Sequence, residues 1–373
     1  MRSRTLALSA LAAIAVIAAA CTGTASQAPA GLKIGLVTDV GSLDDKNFNQ
    51  YSWEGAQDGA SKVGGTASSA TSAVSADIAR NIQSFIDQDF DIIVTVGFAA
   101  GADTIKAAKA NPEIKFIGVD QAPCITAEGE PDPEFGCAGD PKTLLPNLQG
   151  IGWHEQQPGY LAGIVAASLS ESGVIAAVGG TDSVPAVPNY IAGYKNGALS
   201  IDPEVRVVIQ YVSPAPDAAA FADAPGGKAF AQQLLSANSE VDVIFQVAGL
   251  TGNGVLQAAC EANIKAIGVD VDQFVSTPDT AACIVVSAEK KLMKNVSDAI
   301  VRVRDGQDEG LGALKLGIDT DDVGLSPFHD FEDEITAETQ ATLDKAVADM
   351  KAGTLMACEL DTTTGSCVKP TSD

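Results

Sequence analysis

The chain of 373 residues is short of histidine and of positive charge. Its two histidines, His154 and His329, leave little room for a Ser-His-Asp or Cys-His catalytic arrangement, or for a zinc site. Lysine and arginine number 23 against 48 aspartates and glutamates, a formal net charge of −25. Binding to nucleic acid draws its affinity from Lys and Arg on phosphates, so nucleic acid is excluded as a partner. The same acidity opposes spontaneous adhesion to anionic lipid, so a membrane attachment needs a dedicated anchor. Catalytic signatures are missing too: there is no G-x-S-x-G, no H-E-x-x-H and no P-loop. The turn at 249–254 (GLTGNG) has the order G-x-x-G-x-G, not the G-x-G-x-x-G of a dinucleotide site. A tight turn with amides aimed at a ligand, beginning at Gly249, is the simpler account. Nothing calls for a metal or a cofactor, and an enzyme is not the expected class.

Long hydrophobic runs are also scarce. Residues 6–20 form the one conspicuous run, behind Arg2 and Arg4. It falls short of the roughly 20 apolar residues that span a bilayer, and so reads as the core of a signal peptide. Small residues stand immediately before Cys21, which resembles a bacterial lipobox with Cys21 as the lipidated residue. An ordinary signal peptide cut near residues 18–20, with Cys21 incidental, is the alternative. The small, polar stretch that follows suits a flexible tether.

Six further cysteines remain: Cys124, Cys137, Cys260, Cys283, Cys358 and Cys367. An even number in an exported chain points to disulfides, and pairing in sequence order is the simplest arrangement. None has C-x-x-C spacing.

What is present is a repeated strand–turn–helix pattern. Hydrophobic residues make up 46% of the chain, enough for large cores, and the length suits two domains. Residues 33–38 and 91–96 are apolar strand-length runs, and Ile78, Ile82, Phe85 and Ile86 mark one helical face. Helices are expected over 47–60, 103–110 and 336–350, the last with Ala341, Ala346, Val347 and Met350 on one side. The alternation predicts α/β architecture with parallel sheets and helices on both faces. An internal echo supports two such units. FDIIVTVGF at 90–98 is followed by FIGVDQ at 116–121, and VDVIFQVAG at 241–249 by AIGVDVDQ at 266–273. Each unit ends in an aspartate, Asp120 or Asp270, at the carboxyl end of a strand, where open α/β sheets bind ligands. Such carboxylates accept hydrogen bonds from hydroxyls or ring N–H groups, Phe48 and Tyr190 can flank a flat ring, and Lys290 can donate to an oxygen. Each also has a plain structural alternative: Phe48 as core, Tyr190 as helix packing, Lys290 on a solvated face.

Residues 38–55 (TDVGSLDDKNFNQYSWEG) resemble the opening signature of the basic membrane protein (Bmp) family of ABC-transporter substrate-binding lipoproteins, which includes purine nucleoside receptors. Further similar segments follow in order: VGF at 96–98, FIGVDQ at 116–121, QPGYLAG at 157–163, GYKNGA at 193–198, GNGVLQAA at 252–259 and IGVDVDQ at 267–273. The resemblance implies a type I periplasmic-binding-protein fold, two Rossmann-like lobes joined by a hinge. It implies a purine nucleoside closed between them and an ABC permease as partner. It assigns Asp39 to the base, Asn47 and Phe48 to the pair whose Phe stacks on the purine, and Tyr190 to the second aromatic wall. It assigns Asp120 and Asp270 to base or ribose and, through SAEK at 287–290, Lys290 to a donor. Asn189, where relatives carry a basic residue, the cysteine-bearing loop at 121–147 and the acidity are departures from the family pattern.

The expected organisation is a lipoprotein signal peptide over 1–20, a tether over 21–31 and an N-terminal lobe over 32–150. A C-terminal lobe over 151–280 and a hinge-crossing return segment with tail over 281–373 complete it. The expected function is a lipid-anchored, extracytoplasmic receptor for a purine nucleoside. A sugar or autoinducer receptor of the same fold, or a sensor without transport, is the alternative.

Overall fold

The apolar runs become buried strands and the segments between them helices. The computed structural model describes residues 31–214, 219–308, 310–361 and 367–372. The expected signal segment, Cys21 and all of the expected tether but its last residue lie outside the described residues. The chain opens with β1 (Lys33–Val40), α1 (Phe48–Lys62), β2 (Thr66–Ser72), α2 (Ala76–Ile86), β3 (Ile92–Val96) and α3 (Gly101–Ala110). It continues through β4 (Lys115–Val119), the short α4 (Pro141–Leu144), β5 (Leu148–Trp153), α5 (Gln156–Leu169), β6 (Val174–Thr181) and α6 (Ala186–Ile201). Next come β7 (Arg206–Ser213), α7 (Ala219–Ala222), α8 (Ala224–Ala237), β8 (Val243–Val247), α9 (Gly249–Glu261), β9 (Lys265–Asp270) and α10 (Gln273–Ser276). The remainder supplies β10 (Ile284–Lys290), α11 (Leu292–Arg304), β11 (Gly312–Leu316), β12 (Val323–Leu325) and α12 (Ala337–Lys351).

Two six-stranded sheets result, ordered β11-β5-β4-β3-β1-β2 and β12-β10-β9-β8-β6-β7. Neighbours run parallel except β12, which pairs antiparallel with β10 through Leu325 and Ala288. In both sheets the second strand lies outside the first and the third on its other side, the doubly wound order with a switch point between first and third strands. β3 and β4 therefore hold the same places in one sheet as β8 and β9 hold in the other, and the sequence echo falls on equivalent strands. The chain passes between sheets after β5, after β10 and again after β11.

Helix packing explains two of the glycine-rich segments. A Cβ at Gly163 on α5 would lie 2.0 Å from the Tyr194 carbonyl oxygen, and one at Gly197 on α6 would lie 1.9 Å from that of Tyr160. The α5 and α6 backbones thus touch directly, which fixes α6 and the tyrosine it carries at 190. On α2, Ile78, Ile82 and Phe85 are buried as their spacing predicts. On α12 the buried set is Thr339, Leu343, Ala346 and Met350, while Ala341 is exposed. The inward face is set by positions 343, 346 and 350, one helical stripe, from which 341 is turned away.

The six cysteines pair in sequence order, Cys124–Cys137, Cys260–Cys283 and Cys358–Cys367. Among the described residues no helix is long and apolar enough to cross a membrane.

Candidate functional site

The carboxyl ends of both sets of strands, with the loops and helices that follow them, border one cavity of about 290 Å³, close to the lower end, roughly 300 Å³, of the range for small-ligand pockets. From the first sheet, Asp39 is the penultimate residue of β1 and lies beside the switch point. Its carboxylate accepts from its neighbour's amide, Val40, at 2.7 Å, and its own amide donates to Asn49 Oδ1 at 3.1 Å. Gly97, with φ of 92°, leaves room for it, because a Cβ there would overlap the Asp39 carboxylate. Burial, reinforced by the charge of Asp120 and only partly offset by the Val40 amide, pushes the Asp39 carboxyl up to about 6.

Asp45 starts α1. Its carboxylate accepts from the amides of Asn47 at 2.9 Å, Asn49 at 2.9 Å and Gln50 at 3.1 Å, and so satisfies donors that the first turn would otherwise leave unpaired. That cap fixes Phe48, the first residue of the helix, at the cavity wall.

Asp120 follows β4 with φ of 57°, and Asp270 closes β9 with φ of 67°. Aspartate is among the few residues that tolerate the left-handed region, and here it ends each strand beside the cavity. Between the two carboxylates lies Lys290, the last residue of β10, with 2% of its side chain exposed. Its Nζ is 2.7 Å from Asp120 Oδ2 and 3.4 Å from Asp270 Oδ1. The same ammonium stands 5.4 Å from the Phe48 ring centre, 5.2 Å from Trp153 and 5.7 Å from Tyr190, within cation–π reach of all three. Burial works against its charge, yet Asp120, Asp270 and Glu155 outweigh burial and hold its pKa above the ordinary lysine value. For Asp120 the balance goes the other way: burial exceeds the pull of Lys290 and raises the carboxyl to about 6.

Tyr190 is almost wholly buried, and its hydroxyl donates to Asp270 Oδ1 at 3.4 Å and to the Ala288 carbonyl at 3.3 Å. Burial keeps the phenol protonated, its pKa well above the ordinary value. The preceding residue, Asn189, donates to Glu155 Oε2 at 3.1 Å and accepts from the Cys367 amide at 2.9 Å, so the C-terminal disulfide docks on the helix that carries Tyr190. Gly249, with φ of 53°, opens α9 at the cavity edge beside Leu250.

Of the residues singled out from sequence, Asp39, Phe48, Asp120, Tyr190, Gly249, Asp270 and Lys290 border this one cavity. Asn47 does not: it is fully buried one position before Phe48, and its Oδ1 and Nδ2 have no hydrogen-bond partner in the protein. Among the described residues that line the cavity, Lys290 is the only basic one, against four aspartates, Asp39, Asp45, Asp120 and Asp270. Such a surface suits a small uncharged ligand with several N–H and O–H donors and a flat apolar face, and it repels phosphate.

Residues 33–351 match the family described as ABC transporter substrate-binding protein PnrA-like, or Bmp. The chain belongs to this family. It is 29% identical to the CD4+ T-cell-stimulating antigen of Listeria innocua, over 88% of this chain and 92% of the relative. It is 28% identical to the ABC transporter nucleoside-binding protein BmpA of Lactococcus lactis, over 95% of this chain and 98% of the relative. A solved ABC transporter solute-binding protein from Aeropyrum pernix superposes with a TM-score of 0.72 at 23% identity, over 86% of this chain and 92% of the other. The fold is that of the type I periplasmic solute-binding proteins. As a Bmp family member the chain is an extracytoplasmic substrate-binding protein of an ABC transporter, which takes up a small molecule for a permease, and not an enzyme.

Sequence reasoning passed over several cavity residues of this Bmp protein. Asp45 caps the start of α1 and also lines the cavity with Asn49 and Ser75. Phe98 follows β3 at a place close to that of Gly249 after β8, so the echo between the halves carries a signal for it. Phe221, on α7, belongs to no repeated segment and carries none.

Proposed function

We propose that this Bmp protein captures a purine nucleoside between its two sheets and hands it to an ABC permease. The observation that carries the reading is the convergence on Lys290 of Asp120 and Asp270, one from each sheet, together with the rings of Phe48 and Tyr190. Phe48 and Tyr190 are the aromatic walls for the base, and Asp39 accepts from base N–H groups. Asp120, Asp270 and Lys290 serve the ribose hydroxyls, exchanging part of their mutual pairing for hydrogen bonds to ligand. The Asn47 amide, whose donor and acceptor are both unspent in the protein, lies behind Phe48 and would reach a ligand only if the wall at Phe48 shifts. The name of the lactococcal relative, a nucleoside-binding protein, supports the ligand class. The halves close on the ligand as lobes about the three crossings between sheets.

Cys21 is the lipidated residue that holds the receptor at the outer face of the membrane, with the stretch after it as tether. The strong net negative charge of the chain favours a neutral nucleoside over a nucleotide. A thermal-shift screen over nucleosides, free bases, pentoses and nucleoside monophosphates tests the reading, because a ligand that binds only the folded state raises its apparent stability. Purine nucleosides give the largest shift; a shift with pentoses and none with nucleosides overturns it.

A further inference from the structure

Beside the Lys290–Asp120 pair, a second hydrogen bond joins the two halves without involving a crossing segment. Asn253, in the first turns of α9, donates through Nδ2 to the carbonyl oxygen of Asp45 at 3.0 Å. Asp45 belongs to the turn before α1 in the first half, and Asn253 to the second half. Asn253 does not border the cavity.

Its amide is held from behind by a buried relay. Gln273 Nε2 donates to Asn253 Oδ1 at 2.9 Å. Gln273 Oε1 in turn accepts from Gln246 Nε2 at 2.5 Å and from the Val269 amide at 2.9 Å, and Gln246 Oε1 accepts from the Ala248 amide at 3.0 Å. Gln246 and Gln273 are fully buried. The sequence makes room for them: a Cβ at Gly252 would overlap Gln246 Oε1, and one at Gly268 would crowd Gln273 and Ser287. With Oδ1 engaged by Gln273, the Asn253 side chain has one orientation, and its NH2 group faces the opposite half.

What it meets there is the residue that sets the ligand wall. The carbonyl of Asp45 is bonded to Asn253, while the carboxylate of the same residue holds the amides of Asn47, Asn49 and Gln50 and so the start of α1 with Phe48. We infer that Asn253 is a positioning residue, a latch that secures the apposition of the two halves and slows ligand release. It acts through Asp45 on the placement of Phe48 and makes no contact with ligand. The relay Gln246–Gln273–Asn253 ties that latch to β8 and β9, whose ends form the opposite wall.

The inference rests on the nucleoside-receptor reading for its kinetic arm and is independent of it for its exchange arm. Asn253→Asp keeps an acceptor for Gln273 and replaces the donor facing the Asp45 carbonyl with an oxygen; Asn253→Ala removes both. Asn253 is only partly buried, so both variants are expected to fold. Stopped-flow release and capture of guanosine and of adenosine are followed through tryptophan fluorescence, Trp153 being 5.2 Å from the Lys290 ammonium. The latch predicts dissociation about three- to tenfold faster, as loss of one net hydrogen bond implies, with association changed less than about twofold and the guanosine-to-adenosine preference retained. Hydrogen–deuterium exchange of the ligand-free proteins is the second arm. It is expected to rise over residues 43–52 in both variants and to stay unchanged over α3. Unchanged dissociation, or unchanged exchange over 43–52, overturns the latch. If the wild-type protein binds neither nucleoside while exchange over 43–52 rises in the variants, the latch stands and the nucleoside reading falls.

Discussion

The Lys290 ammonium lies 2.7 Å from the Asp120 carboxylate, joining the last residue of a strand in the second sheet to the residue that follows a strand in the first. With Asp270 at 3.4 Å on the other side, one buried cation holds the ends of both sheets together. The cleft between sheets is thus organised around a charge cluster that needs all of its members.

Removing the cation strands two buried carboxylates. Lys290→Met is expected to destabilise the folded protein by about 3–5 kcal/mol at pH 8, the usual cost of breaking a buried pair by taking one partner. At pH 5 the cost is smaller, because Asp120, already raised to about 6 beside Lys290, then takes up a proton. Asp120→Asn in the same background recovers part of the loss. Denaturant unfolding of the single and double variants, with disulfides intact, measures the cycle.

Asp39 gives a pH dependence of definite sign. Its carboxyl is raised to about 6 in the folded protein from the ordinary aspartate value of 3.8. The folded state therefore holds more protons than the unfolded state between these values, and stability attributable to Asp39 falls as pH rises from about 4 to about 6. Above that window Asp39→Asn is expected to be more stable than the wild type, by up to about 3 kcal/mol relative to the comparison at pH 4. Ligand N–H groups that donate to this carboxylate favour its ionised form, so nucleoside affinity rises with pH through the same window and Asp39→Asn flattens the profile. Unfolding and titration at pH 4.5 and pH 7.5 read both effects.

Phe48 is only partly buried, so truncating it removes stacking surface with modest cost to the core. Phe48→Ala is expected to weaken nucleoside binding by about 1–3 kcal/mol, the range for one base on one aromatic ring, and to leave any affinity for free ribose unchanged. Equal losses for nucleoside and ribose would mean a collapsed cavity instead of a lost stacking partner. Titration calorimetry of both ligands separates the two.

Cys260 and Cys283 close a loop of 23 residues that ends at the start of β10. Replacing both with alanine is expected to cost about 3 kcal/mol on the loop-entropy scale, read as a lower unfolding midpoint at unchanged spectroscopic signature. Cys21→Ser has a different readout: the protein moves from the membrane pellet to the soluble fraction, with ligand affinity retained.

Much of this architecture was legible in the residues. β-Branched runs ending in glycine or aspartate placed β3, β4, β8 and β9, and their echo falls on equivalent strands of the two sheets. Asp120 and Asp270 stand out because the echo puts each at the carboxyl end of a strand, where open α/β sheets bind ligands. The antiparallel return of β12 was not legible, since three residues, Val323–Leu325, carry no periodicity to read. Nor was the environment of Lys290: a lysine at the end of a strand looks solvated until Trp153 and Asp120, distant in sequence, are folded around it. The importance of Asp45 was hidden for a related reason, because its capping role and its exposure to the cavity depend on the turn that brings three amides to one carboxylate. Asn253 stands in a glycine-rich segment, and its partner, a backbone carbonyl, leaves no mark in a sequence.

In the proposed function one cavity, walled by Phe48 and Tyr190 and anchored by Lys290, holds a purine nucleoside. Calorimetric titration of the disulfide-intact protein at pH 7.5 with guanosine, adenosine, D-ribose and guanosine monophosphate tests it most directly. Saturable one-to-one binding of at least one purine nucleoside is expected, with much weaker binding of ribose and none of the monophosphate. Tight binding of ribose with no heat from any nucleoside would contradict it.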